Sequence, residues 1–261
     1  MTLSSENKSN TLTNSLLIGV IVIAVVGFSI TYVTNLETTK PIEDEITLIT
    51  GFQVQNLKGD SLSTYIGWKA KTKILYYIDG ADRHPEEKIQ AIHDVILSDE
   101  TIEVPNKLLH KFPADGTTIF YKGWIKAANE LRAFTDKAGG EPVIMEYAKT
   151  KAVADVIIEL VNNPHPDGYS GWTSSVVDQS TNQVVQSKIT LYNFDKLSVG
   201  QVEVLMRHEA GHVIGLAHST DPDDLMYPVI QTNFPYISPC GIASLKAIQL
   251  EEFKTKIICD E

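Results

Sequence analysis

The chain has 261 residues, of which 43% are hydrophobic and 21% are charged, a composition typical of a globular protein. This length is sufficient for one domain of fair size and an additional segment. The formal net charge of −11 argues against nucleic acid as a partner, because phosphate groups are bound by basic patches.

The N-terminal part contains an uncharged, mostly apolar stretch at residues 16–33. As a helix it would span about 27 Å, which is close to the thickness of a bilayer core. The sequence therefore predicts a single-pass membrane anchor over 16–33, with a short cytoplasmic tail at 1–15 and the rest of the chain outside the cytoplasm. The alternative is a secretory signal cleaved after residues 1–29, and both interpretations predict that the following domain is exported.

Residues 34–65 are polar and contain an acidic run, which is typical of a linker. Beyond them, segments rich in aromatic and β-branched residues predict five strands, at residues 73–78, 143–147, 154–160, 172–177 and 188–192. Apolar residues at helical spacing predict four helices, at residues 85–98, 124–137, 199–216 and 242–257. Ser198 and Gln201 predict a capping box at the start of the third of these helices. The order of these elements predicts an α+β domain, in which a mixed sheet packs against helices.

The most informative segment begins at His208 and reads His-Glu-Ala-Gly-His-Val-Ile-Gly-Leu-Ala-His. His208 and His212 are four residues apart, so they lie on the same face of the predicted helix. Gly215 allows the chain to turn sharply, and the turn brings His218 back as a third ligand of the same metal ion. Three nitrogen ligands leave one coordination position open, as in a catalytic zinc site.

Glu209 follows the first histidine and is the candidate general base. Zinc lowers the pKa of a bound water to about 7, and the carboxylate can accept the proton as the water attacks a peptide carbonyl. These residues predict a zinc-dependent endopeptidase that binds one catalytic Zn²⁺ and acts on a protein or peptide. A catalytically silent zinc-binding or adhesion module is the alternative, and the presence of Glu209 favours the enzyme.

The pattern His-Glu-x-x-His-x-x-Gly-x-x-His resembles that of the metzincin metallopeptidases. Ser219, directly after the third histidine, and the Asp-Leu-Met-Tyr-Pro run at 224–228 resemble the matrixin branch of that clan. The resemblance implies a metzincin fold over residues 66–261, with a twisted five-stranded mixed sheet and three main helices. It also implies that residues 80–122, whose second half is predicted to be irregular, are an insertion relative to the family domain.

The resemblance further assigns roles to residues around the histidines. Met226 would form an apolar floor beneath the ligands, in a Met-turn, and Pro228 and Val229 would line the pocket for the side chain after the scissile bond. His165 and Asp167 resemble part of a structural zinc site. No histidine lies between Asp167 and His208 to complete such a site, so the interpretation of His165 as an ordinary histidine in a solvated loop is favoured. The sequence identifies no ligands for a structural Ca²⁺.

Cys240 and Cys259 are the only cysteines in the sequence. Export of the domain would permit a disulfide between them. Closing a loop of about twenty residues would contribute roughly 3 kcal/mol to stability. Two free thiols are the alternative.

Overall fold

The structure, a computed structural model, describes residues 53–55, 61–64, 73–133, 144–178, 180, 183–230, 232–250 and 257–258. All of them belong to one unit, Leu48–Glu261. The predicted anchor at 16–33 and the predicted tail at 1–15 lie outside the described residues. In the part of the chain that the structure describes, no helix combines the length and the apolar character needed to cross a bilayer.

A five-stranded mixed sheet forms the centre of this unit, as predicted. Its strands are β3 (Lys73–Asp79), β6 (Ile144–Tyr147), β7 (Val156–Leu160), β8 (Gly171–Asp178) and β9 (Gln183–Leu191). They lie in the order β6-β3-β7-β9-β8, and all pairs are parallel except that of β8 with β9. Central β7 is almost continuously buried, whereas β8 alternates between half-buried and exposed residues, as expected for an edge strand.

Four α-helices lie within the described ranges, one more than the three main helices that the resemblance implies. They are α1 (Glu86–Leu97), α2 (Trp124–Ala133), α3 (Val199–Val213) and α4 (Pro239–Leu250). Helix α3 begins at a capping box, in which the Gln201 backbone N–H donates to the Ser198 hydroxyl at 3.3 Å and the Ser198 N–H donates to the Gln201 side chain at 2.8 Å. This start was predicted from the sequence.

Helix α3 ends earlier than predicted, at Val213 instead of Leu216. Gly215 has a φ of 109°, which only glycine adopts without strain, so the helix cannot continue through it. Leu216 instead begins a short strand, β10 (Leu216–Ser219). This strand belongs to a second, four-stranded sheet whose other members are β1 (Gln53–Gln55), β2 (Ser61–Thr64) and β11 (Ile257–Ile258).

Strands β1 and β2 lie within residues 34–65, the segment predicted as a linker. They pair antiparallel with each other, and β2 pairs with β10. Their sequences, Gln-Val-Gln and Ser-Leu-Ser-Thr, are polar on every second residue, and this short alternation gave no strand signal among the surrounding polar residues. The second sheet therefore connects this N-terminal segment to the strand that carries His218.

The prediction that residues 99–122 are irregular was wrong. They contain a hairpin of β4 (Thr101–Pro105) and β5 (Thr117–Tyr121), and its side chains Val104 and Phe120 are buried. The proline and glycine residues that suggested irregular structure lie at the end of β4 and in the connection, where they do not interrupt the pairing. That the segment is an insertion relative to the family domain stays a prediction.

The hydrophobic core lies between the central sheet and helices α1 and α3. Ile78, Ile158 and Ile189 from three neighbouring strands are buried there, together with Ile92 of α1 and Met206 of α3. Burying one such side chain contributes about 1.5–3 kcal/mol, so this contact holds α3 firmly against the sheet. The helix that carries two of the predicted metal ligands is thus fixed by the main core.

Candidate metal centre

The structure brings the three predicted histidines together at the end of helix α3. His208 and His212 lie one turn apart on the helix, and His218 lies on strand β10. One nitrogen from each ring lies within 4.8 Å of the other two. The turn at Gly215 makes this convergence possible, because it reverses the chain within three residues of His212.

Backbone carbonyls determine which ring nitrogens are available in two of the histidines. The Nδ1 of His208 lies 2.8 Å from the Leu225 carbonyl oxygen, and the Nδ1 of His212 lies 2.7 Å from that of Leu216. A carbonyl oxygen only accepts, so each Nδ1 carries the proton in the neutral ring and each Nε2 keeps a lone pair. This is the tautomer in which a histidine binds a metal ion through Nε2.

The two Nε2 atoms lie 3.2 Å apart. Two lone pairs at this distance repel each other, and a cation between them replaces the repulsion with attraction. For ligands about 2.0 Å from a tetrahedral zinc, adjacent nitrogens are separated by about 3.3 Å. The residues therefore fit a zinc ion, both in their chemistry and in the spacing of His208 and His212.

Burial keeps the ligands neutral. It lowers the pKa of His208 to about 4 and that of His212 to about 3, with the neighbouring histidines contributing in the same direction. The pKa of His218 is also lowered by burial. Neutral imidazole is the metal-binding form, so all three rings can bind a metal ion at neutral pH without first losing a proton.

Glu209 is almost completely buried, with 4% of its surface exposed. Burial raises the pKa of its carboxyl to about 7, and a hydrogen bond from Thr173 opposes this shift. The Thr173 hydroxyl donates to Oε2 at 2.6 Å, and it also lies 3.2 Å from the Glu209 carbonyl oxygen. The carboxyl group therefore lies against the edge strand β8.

Comparison with known proteins agrees with this geometry. Residues 132–238 match the family model of the matrixins. The chain contains a matrixin-like catalytic domain. Matrix metalloproteinase-20 of Homo sapiens is 32% identical over 90 residues, which cover 32% of this chain and 19% of that protein. Metalloendoproteinase 4-MMP of Arabidopsis thaliana is 28% identical over 141 residues, which cover 50% of this chain and 41% of that protein. The chain spans less than half the length of either relative.

Met226 packs directly against helix α3. Met226 is buried, and a Cβ added at Gly211 would come within 2.5 Å of its sulfur. Its carbonyl oxygen accepts a hydrogen bond from the Ser219 N–H at 2.8 Å. Because the preceding Leu225 carbonyl holds His208, this turn contacts both the helix and the strand that supply the ligands.

Pro228 and Val229, predicted to line a substrate pocket, follow this turn and are both exposed.

His165 and Asp167 do not join the metal centre. The Asp167 N–H donates to the His165 Nδ1 at 3.1 Å, and the His165 ring stacks on Trp172. Among the described residues, the three histidines form the only group of at least three candidate metal ligands.

Cys240 takes part in a disulfide. The chain has one other cysteine, Cys259, which lies outside the described residues. The pairing of the two cysteines stays a prediction.

Sequence reasoning missed Arg207, which lies immediately before the first ligand. The side chain is buried, and it donates to the Lys122 carbonyl oxygen and to the Pro235 carbonyl oxygen, both at 2.7 Å. Its own carbonyl oxygen accepts a hydrogen bond from the Trp124 indole at 2.8 Å. Arg207 thus joins helix α3 to two distant segments, and no motif in the sequence indicated these contacts.

Sequence reasoning also missed Gly171 and Thr173 on the edge strand. A Cβ at Gly171 would lie 2.3 Å from the Glu209 Oε1, so this position must lack a side chain for the carboxyl group to occupy its place. The only available signal was the alternation of β8, which puts residues 171 and 173 on the same side of the strand. That alternation does not reveal which residue these positions contact, because Glu209 lies 36 residues after Thr173 in the chain.

Proposed function

We propose that the matrixin-like domain is a zinc-dependent endopeptidase that hydrolyses peptide bonds. The observation that carries the proposal is the convergence of three histidines, together with the buried carboxyl group of Glu209, which follows His208 directly in the sequence. The match of residues 132–238 to the matrixin family model supports it, and so do the names of both relatives, since these names describe metalloproteinases. A silent zinc-binding module of the same fold is the second candidate.

His208, His212 and His218 would hold the zinc, two of them through Nε2 atoms that the Leu225 and Leu216 carbonyls leave unprotonated. When bound, zinc supplies a Lewis acid that acidifies water and polarises a carbonyl group. Glu209 accepts a proton from the attacking water at its carboxylate. It then donates that proton to the nitrogen of the leaving amine.

The edge strand β8 offers a binding surface for the substrate. It is the last strand in the order of the central sheet, and only β9 pairs with it in that sheet among the described residues. Its outer edge therefore presents backbone groups that an extended peptide can pair with, as an additional strand. Glu209 contacts the same strand, so a peptide bound there lies close to the proposed base.

We also propose that the domain acts outside the cytoplasm, attached to the membrane through residues 16–33. The uncharged apolar stretch supports this, and so does the disulfide at Cys240, because disulfides persist in oxidising compartments. Fractionation of cells that express the full chain tests the anchor. A chain found in the membrane fraction after alkaline washing supports it, whereas a shorter chain in the medium would support a cleaved signal.

The activity is tested with the full chain, in detergent, on an unfolded protein substrate. We expect one zinc per chain, cleavage that stops when a chelator removes the zinc, and recovery when zinc is restored. The expected effect of removal is complete loss of cleavage above background. One zinc per chain without chelator-sensitive cleavage would favour the silent module, and a chain that binds no zinc would contradict both candidates.

A further inference from the structure

We propose that Thr173 is a positioning residue, which holds the carboxylate of Glu209 in one orientation for proton transfer. This inference rests on the peptidase function proposed above. Its basis is the 2.6 Å hydrogen bond from the Thr173 hydroxyl to the Glu209 Oε2. A hydrogen bond of this length to a carboxylate is charge-assisted and therefore stronger than one between neutral groups.

The burial of Glu209 makes this hydrogen bond important. With 4% of its surface exposed, the carboxylate has little access to bulk water as a hydrogen-bond donor. The Thr173 hydroxyl supplies a donor from a neighbouring strand, not from the helix that carries Glu209. The orientation of the carboxylate is therefore determined by the sheet as well as by the helix.

Gly171 leaves room for the other oxygen of the same carboxylate. A Cβ at this position would lie 2.3 Å from Oε1, so Oε1 occupies the space that a side chain would fill. Oε2 is held by Thr173, two residues further on the same side of β8. The hydrogen bond from Thr173 thus constrains the carboxylate, Gly171 leaves the space in which Oε1 lies, and rotation of the carboxylate plane would break the hydrogen bond.

The consequence concerns the proposed substrate strand. The outer edge of β8 is where an extended peptide would pair, and the inner face of β8 holds Glu209. One strand thus contacts both the proposed substrate and the base, so the orientation of the base relative to the scissile bond depends on this strand as well as on the helix that carries Glu209. Because misplacement of a reacting group by about 1 Å can reduce turnover about a hundredfold, loss of the Thr173 hydroxyl is expected to reduce kcat.

The test compares variants of the full chain in the zinc-loaded form. Thr173→Val removes the hydroxyl and keeps the shape of the side chain, Thr173→Ala removes it with less volume, and Thr173→Ser retains it. Ser187→Ala is the matched control, since the Ser187 hydroxyl bonds that of Ser175 on the same side of β8 at 2.7 Å and does not contact Glu209. For each variant, kcat, KM, bound zinc and the midpoint of thermal unfolding are measured.

We expect Thr173→Val and Thr173→Ala to lower kcat roughly ten- to hundredfold, while KM stays within about twofold and zinc remains at the wild-type level. Thr173→Ser should keep kcat within about threefold of wild type, and Ser187→Ala should leave it unchanged. The inference is overturned if Thr173→Val or Thr173→Ala turns over like wild type, or if Thr173→Ser is as impaired as they are. A wild-type chain that shows no chelator-sensitive cleavage would overturn the proposed function itself.

Discussion

The metal ligands lie close together in the sequence, whereas the residues that hold them in place lie far from them along the chain. The three histidines lie within residues 208–218, and one helix and one turn bring them together. The groups that hold this segment in place are remote: Thr173 lies 36 residues before Glu209, and Lys122 lies 85 residues before Arg207. The ligand set therefore follows from local helix geometry, whereas the orientation of the base and of the helix depends on the complete fold.

The largest effect is expected from removing a ligand, which tests the local part of the site. His212→Ala should abolish zinc-dependent cleavage, because two imidazoles no longer hold the metal firmly, and bound zinc should fall well below one per chain. His165→Ala is the control, since His165 lies outside the metal centre and stacks on Trp172. The measurement that decides the prediction is the zinc content of the two variants. If His212→Ala keeps as much zinc as His165→Ala, His212 is not a ligand of the metal.

The next effect tests the long-range part of the site. Arg207→Met should lower the free energy of unfolding by about 2–3 kcal/mol, because a buried guanidinium is lost and the half-buried carbonyl oxygens of Lys122 and Pro235 lose their donors. Arg83→Met changes an exposed arginine and should cost less than about 0.5 kcal/mol. Denaturant unfolding of the full chain measures both, and similar values for the two variants would show that the buried contacts contribute nothing.

A smaller pair of opposite effects concerns two glycines near the ends of helix α3. Gly215 has a φ of 109°, so Gly215→Ala should destabilise the domain by about 1–2 kcal/mol and weaken zinc binding by displacing His218. Gly200 lies in the first turn of α3 with open space around its Cβ position, and Gly200→Ala should stabilise by about 0.5–1 kcal/mol. Denaturant unfolding measures the free energy of unfolding of both variants. If the two substitutions change it in the same direction, this account of the turn is contradicted.

The same distinction explains how much of the structure the sequence could predict. The five strands of the central sheet and the Ser198–Gln201 capping box were predicted, because runs of β-branched residues and a polar pair at fixed spacing are local signals. The hairpin at residues 101–121 was missed, since Pro105 and Gly116 look like interruptions until the pairing of β4 with β5 is known. Its stability comes from contacts that the local sequence does not reveal.

Within the site, the convergence of the three histidines could be predicted from their spacing in the sequence, but the backbone carbonyl groups that bind them could not. Leu216 and Leu225 hold the rings through backbone oxygens, and any residue type could supply these. Thr173 was equally hidden, because a threonine on an edge strand has many ordinary explanations. Identifying it required knowing that β8 lies against the helix, which is a property of the fold.

The central claim is that this is a catalytic zinc site in which Glu209 transfers the proton. The most direct test is the cleavage rate per bound zinc for wild type and Glu209→Gln, measured on the full chain with the same unfolded substrate. We predict equal zinc content and a rate that is about 10²–10⁴-fold lower in the variant. Equal rates in the two proteins at equal zinc content would contradict the claim.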